Sequence, residues 1–260
     1  MKVVDRSEAN VRGWPVTISP RVVASVAVAP GDGSRTLGPH TGFEPLAQAV
    51  IEVPAGERHT ASAGTEELVM FVLEGTGTLT LDGTEHPLEA ECGVYIAPEE
   101  SYALHASQSA PLRLVQVAIP DPDPDAETGP RAVVRRLADQ QAQDATTDRE
   151  FRIVADPSSG LRSATHFVGY IPTAKAPDHF HAYDEVIYVL EGEGTFHAGD
   201  LHESLGPGSC IQLPARTVHC LENTGDATMR VVAVFRPAGS PAAAYYPDGT
   251  PAYTTDANRP

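Results

Sequence analysis

The chain has 260 residues, 41% hydrophobic and 20% charged, with a formal net charge of −17. That length holds one large or two ordinary domains and a sizeable core. The acidic balance excludes nucleic acid as a partner, because phosphate recognition needs a basic face. No run of about 18 apolar residues offers a transmembrane helix, and Met1-Lys2-Val3-Val4-Asp5 lacks the apolar core of a signal peptide. Cys92, Cys210 and Cys220 are odd in number and lie in apolar surroundings. The expectation is a cytoplasmic protein with reduced thiols and no membrane partner.

In chain order, residues 1–15 read as an irregular arm around Trp14-Pro15, and residues 21–28 as a strand closed by Pro30-Gly31-Asp32-Gly33. Strands follow over residues 46–53, 69–75 and 77–81, the last ended by Asp82-Gly83, a two-residue hairpin signal. Residues 94–98 and 112–117 complete a first all-β region. Short strands at regular spacing with Gly and Pro between them indicate a barrel or jelly roll. Pro120-Asp121-Pro122-Asp123-Pro124-Asp125 is stiff, polar and unfit for a sheet, so it opens a connection. Residues 131–148 are polar, with a helical turn or two expected around Ala138–Ala142. A second β region runs from Phe151 to about Phe235, and the tail 237–260 is rich in Pro, Ala and Tyr and is expected over a surface. The expected division is a first barrel over 1–120, a linker over 121–148, a second barrel over 149–237 and a tail over 238–260.

The β regions repeat one another. Val69-Met70-Phe71-Val72-Leu73-Glu74-Gly75 matches Val186-Ile187-Tyr188-Val189-Leu190-Glu191-Gly192 at an offset of 117 residues. That period is far longer than a solenoid unit, so it marks a duplicated domain.

The chemistry gathers in residues 179–223. His179 and His181 are two apart and share a face on a strand, and Glu185 keeps that parity if the strand runs through. His219 follows the turn Pro214-Ala215-Arg216-Thr217. Three imidazoles and one carboxylate so spaced can be gathered by a small antiparallel barrel around one metal ion. The stretch resembles the two signature motifs of the cupin superfamily. His179, His181, Glu185 and Gly192 fit the first motif; Gly208, Pro214, His219 and Asn223 fit the second. Departures are Thr173 and Arg216, where the family often has Gly; neither removes a ligand. The resemblance covers roughly residues 45–237. It implies an all-β chain of two tandem cupin barrels, with His179, His181, Glu185 and His219 as ligands of one divalent transition metal per chain. Fe, Mn, Ni, Cu, Co and Zn all suit such a site. Binding is expected to weaken as pH falls through about 6, because only neutral imidazole coordinates.

Subtracting the repeat offset puts Ser62 opposite His179, Gly64 opposite His181 and Leu68 opposite Glu185; the match of Pro98 with Pro214 puts Ala103 opposite His219. The first barrel is therefore expected to lack a metal site. His59 and His105 lie near, and Glu66 and Glu67 are expected in solvent. Glu185, Tyr183 and Arg216 are the candidate catalytic residues. Tyr183 is placed for the outer shell of the metal, and Arg216 either clamps a substrate carboxylate or stands as a solvated turn residue. His166 and His197 are expected to be packed or solvent-facing, and Cys220 to point away from the site.

Three functions stay open. The resemblance to quercetinase-type bicupins implies a dioxygenase acting on a small enolic, phenolic or carboxylated substrate. Bicupins similar to ureidoglycine aminohydrolase share this length and an empty first barrel, which implies non-redox chemistry (aminohydrolase, isomerase or lyase). Their ligand order begins with Glu and ends with Gln, unlike His, His, Glu, His here. The third reading is a cupin that binds a small anion without catalysis. The expected partners are a small-molecule substrate, with anions among the candidates, and a second copy of the chain, because isolated barrels leave sheet edges and apolar faces to cover.

Overall fold

The computed structural model describes residues 20–23, 34–145 and 148–252. The arm expected over residues 1–15 and the continuation of the first strand over 24–28 lie outside them. Among the described residues, three short 3-10 turns are the only helical elements. Among the same residues no helix is long and apolar enough to cross a membrane.

The strands in chain order are β1 (Arg21–Val23), β2 (Ser34–Leu37), β3 (Ala47–Val53), β4 (Arg58–Ser62), β5 (Glu67–Glu74), β6 (Gly77–Leu81), β7 (Thr84–Leu88), β8 (Cys92–Ile96), β9 (Ser101–Ala106) and β10 (Leu112–Ile119). They continue with β11 (Val134–Arg136), β12 (Ala142–Asp144), β13 (Glu150–Ala155), β14 (Thr165–Ile171), β15 (Asp184–Glu191), β16 (Gly194–Ala198), β17 (Leu201–Leu205), β18 (Cys210–Leu213), β19 (Cys220–Asn223) and β20 (Met229–Arg236). The first barrel joins a six-stranded sheet, β11-β8-β5-β10-β3-β2, to the four-stranded β4-β9-β6-β7. The second joins β1-β18-β15-β20-β14-β13-β12 to β17-β16-β19.

Alternation along the central strands explains why they read as unbroken apolar runs. In β5, Leu68, Met70 and Val72 pack inside the first barrel, while Val69 and Phe71 face the second. In β15, Ile187 and Val189 point into the second barrel, and Val186 and Tyr188 meet the first. Both faces are buried, so both must be apolar. Val115 and Val117 of β10 and Val232 and Val234 of β20 complete this shared core.

The duplication is visible in the registers. Leu68 pairs with Ile96 and Ala118, and Glu185 pairs with Leu213 and Phe235, all at the same offset of 117. Even the ion pairs repeat: Arg113 with Glu74, Arg230 with Glu191. Gly75 and Gly192 end the repeated strands at φ +88° and +89°. A Cβ there would lie 2.1 Å from the Pro111 oxygen in one barrel and 2.7 Å from Met229 Cα in the other. Only glycine fits both the left-handed backbone and the close approach.

Four expectations change. The strand at Arg21–Val23 pairs with β18 and so extends the second barrel's sheet. The helical turns expected around Ala138–Ala142 are one 3-10 turn at Leu137–Asp139 between β11, which joins the first barrel, and β12, which joins the second. Unpaired strand edges on both barrels compete for that segment. Glu67 is fully buried rather than solvated. Its parity puts it on the inter-barrel face, where it accepts from Tyr95 Oη at 2.7 Å and from the N–H groups of Arg162 and Ser163 at 2.8 and 3.1 Å. The paired strand β6–β9 against β16–β19 matches Ala106 with Asn223, which places Tyr102 opposite His219, one residue from the expected Ala103.

Candidate metal centre

His179 and His219 exchange both backbone hydrogen bonds, at 3.0 and 2.8 Å, in an isolated antiparallel bridge. The strand does not run through to Glu185: a bend at Ala182–Tyr183 separates that bridge from β15. The turn at Arg216, in the left-handed region at φ 64°, holds the segment, since the Arg216 N–H donates to the His181 oxygen at 2.7 Å. Asn223 secures the far end of β19. Its Nδ2 donates to the Ile171 and Ala227 oxygens, each at 2.8 Å, and its Oδ1 accepts from the Gly225 N–H.

One ring nitrogen from each of His179, His181 and His219 falls within 4.8 Å of the other two, and the three ligand groups are buried. Among the described residues no other group of three His, Cys, Asp or Glu side chains comes together in this way. The tautomers follow from the second ring nitrogen. Nδ1 of His179 lies 2.9 Å from the Pro177 oxygen, that of His181 2.7 Å from the Ala243 oxygen and that of His219 2.9 Å from the Thr217 oxygen. A carbonyl only accepts, so each Nδ1 carries the proton and each Nε2 keeps its lone pair. Burial lowers all three pKa values, that of His181 to about 3 with a contribution from His179. The lone pairs therefore stay free at neutral pH. Three convergent, neutral, correctly oriented imidazoles fit a divalent transition ion.

Glu185 lines the same cavity, is buried, and is pushed by desolvation up to about 8. Its oxygens lie outside the 4.8 Å group of the three imidazoles. Tyr183 stacks on His181, rings 4.6 Å apart and 8° from parallel, and on Phe235 at 3.8 Å. This fixes the His181 ring and closes one wall. Arg216 does not line the cavity; the cation that does is Arg149, which donates to the Leu221 oxygen at 2.5 Å and whose charge lowers the pKa of all three histidines. The cavity has a volume of about 80 Å³, and Phe151, Phe167 and Tyr170 supply aromatic walls.

Two contributions had no signal at sequence level. Arg149 has no fixed spacing to the histidine motif, and only the β12–β13 hairpin carries it to the cavity. The tail also builds the site. Tyr245 pairs with Phe180 through two backbone bonds of 2.9 Å and stacks on its ring, which brings the Ala243 oxygen to His181. In the first barrel Ala61, not the expected Ser62, stands opposite His179, because it pairs with Tyr102 as His179 pairs with His219; with Leu68 and Tyr102 it lines a cavity where the second barrel has Glu185 and histidines. His59 and Glu66 also line it, and His105 is exposed.

Residues 166–235, from β14 to β20, match the Cupin domain family. No curated protein matches the sequence. Solved structures do. A putative glyoxylate induced protein from Pseudomonas aeruginosa superposes with a TM-score of 0.65 at 20% identity, covering 74% of each chain. The protein Ylba from E. coli gives 0.69 at 12% identity, covering 84% of this chain and 90% of its own. The Mn(II)-containing oxalate decarboxylase of Bacillus subtilis gives 0.61 at 14%, covering 76% and 70%. At these identities the structures establish a shared fold. The Cupin domain match over residues 166–235 contains the histidine triad, and the fold shared with these structures extends over most of the chain.

Proposed function

We propose that the chain is a metal-dependent cupin enzyme, an oxidoreductase of the dioxygenase type acting on a small carboxylated or enolic anion. The observation that carries this reading is the set of three imidazoles whose Nδ1 protons are each held by a backbone carbonyl. In this reading His179, His181 and His219 hold one divalent transition metal, with Glu185 as a fourth ligand from the adjoining wall. Bound there, a redox-active ion supplies electron transfer between an anionic substrate and dioxygen, and any such ion supplies Lewis acidity.

The chain's own residues narrow the substrate. A cavity of about 80 Å³ favours a molecule of a few heavy atoms over a large polyphenol. Arg149 is the one Lys or Arg side chain among the lining residues and is the group we assign to hold a substrate carboxylate. The aromatic walls exclude water and strengthen that attraction. Small carboxylates also occur in the names of two similar structures, oxalate in one and glyoxylate in the other.

A non-redox reading is favoured by Glu185 alone. A buried carboxyl whose pKa is raised to about 8 can give or take a proton near neutral pH, as decarboxylation, isomerisation or hydrolysis requires. The test is to reconstitute metal-free protein with Fe, Mn, Ni, Cu, Co or Zn and screen small carboxylates, enols and ureides in an oxygen-electrode cell. Oxygen uptake with redox-active ions and silence with Zn supports the dioxygenase. Anaerobic turnover with Zn rejects it in favour of the non-redox enzyme. No turnover, with anion binding intact, leaves a binding cupin.

A further inference from the structure

The small sheet of the second barrel has a second group of imidazoles on its outer face. Phe196 and Leu221 point inward, towards the core and the triad. Their neighbours His197 and Glu222 point the opposite way, as strand alternation requires. The hairpin of β16 and β17 turns through the two residues Gly199-Asp200, with Ala198 opposite Leu201 as its closing pair and His197 opposite His202 as the next. In such a hairpin the pair after the closing one is not hydrogen-bonded through the backbone, and its side chains stand closest. The two Nδ1 atoms are accordingly 2.8 Å apart.

We propose that His197 and His202 chelate a divalent transition ion of borderline softness, such as Ni(II), Cu(II) or Zn(II), at the protein surface. Glu222 is the residue that orients His197. Its Oε2 lies 2.7 Å from His197 Nε2, and an ionised carboxylate only accepts, so Nε2 carries the proton and Nδ1 keeps its lone pair. A carboxylate behind one ring nitrogen and a metal on the other is the usual outer-shell arrangement of histidine ligands. The bite also fits. Two metal–nitrogen bonds of 2.0–2.1 Å at a right angle put the nitrogens about 2.9 Å apart. Without an ion, His202 donates its Nδ1 proton to His197; when an ion binds Nδ1, that proton passes through solvent to the Nε2 of the exposed His202 ring, which stays neutral. His202 is exposed and gives access from solvent, whereas the His197 side chain is only 16% exposed and is held in place. Imidazole selects these ions over Mg(II) and Ca(II).

The experiment titrates full-length protein with NiCl2 and measures bound nickel by elemental analysis and calorimetry. Wild type should bind one equivalent at this site beyond the one assigned to the triad. H202A should lose one equivalent and keep the other. E222Q should keep both, with the outer site weakened about 10–100-fold. H181A should keep the outer equivalent, which separates this site from the triad. Equal stoichiometry and affinity in wild type and H202A, or no outer equivalent in H181A, would overturn the proposal. Unchanged affinity in E222Q would remove Glu222 from it.

Discussion

His166 lies on the inter-barrel face of β14, 2% exposed, edge-on to the Phe71 ring, with no protein partner for its Nδ1. Burial drives its pKa down to about 3. An unfolded histidine titrates near 6.5, so the unfolded chain takes up a proton that the folded chain refuses. The group's contribution is therefore fully present above about pH 6.5 and is lost as pH falls from there towards about 3. Each pH unit in that window is worth about 1.4 kcal/mol, so moving from pH 7.5 to 5.0 should cost about 2 kcal/mol through this residue alone. H166L fills similar space and cannot titrate. Urea unfolding of both proteins at several pH values isolates the effect, because the carboxylates and the other histidines titrate in both. The stability gap should widen in favour of H166L by about 2 kcal/mol across that interval. Parallel pH profiles for the two proteins would refute the reasoning.

The shared core makes Glu67 a structural staple. E67A strands three donors, and at about 1–3 kcal/mol for each unsatisfied group, partly relieved by water, a loss of about 3–5 kcal/mol is expected in the same urea assay; a loss below about 1 kcal/mol would show that the staple is dispensable. At the metal centre, an H181A/E185A double variant should lose the triad's equivalent of metal by elemental analysis, and full retention would sink the ligand assignment. The depressed histidine pKa values move the acid limit of binding below the value of about 6 expected for exposed histidines. Metal should stay bound at pH 5.5 in equilibrium dialysis, and half-release near 6.5 would contradict the burial argument. A chelator at neutral pH should remove the metal and leave the circular dichroism of the barrels unchanged, since two apolar cores hold the fold; cooperative unfolding would make the site structural. Sedimentation should report a dimer, and a mass near 27.5 kDa across micromolar concentrations would contradict it.

The sequence alone determined the β class, the duplication and the three histidines. Each of these is a local or periodic property: alternation sets strand faces, the offset of 117 recurs along the whole of the central strand 69–75, and the motif holds its spacing wherever the barrel places it. Tertiary structure decided what spans the two barrels or closes over the site. Arg21–Val23 joins the more distant sheet, Glu67 is buried by a loop 95 residues away, and Tyr102 rather than Ala103 stands opposite His219 because one residue separates the turns of the repeats. Arg149 reaches the cavity from the β12–β13 hairpin and the Ala243 carbonyl reaches His181 from the tail, and no spacing rule ties either to the motif. The protonation states belong to the same class. A histidine in a sequence is a group titrating near 6.5; it becomes a neutral donor only when packing removes water and a carbonyl holds Nδ1.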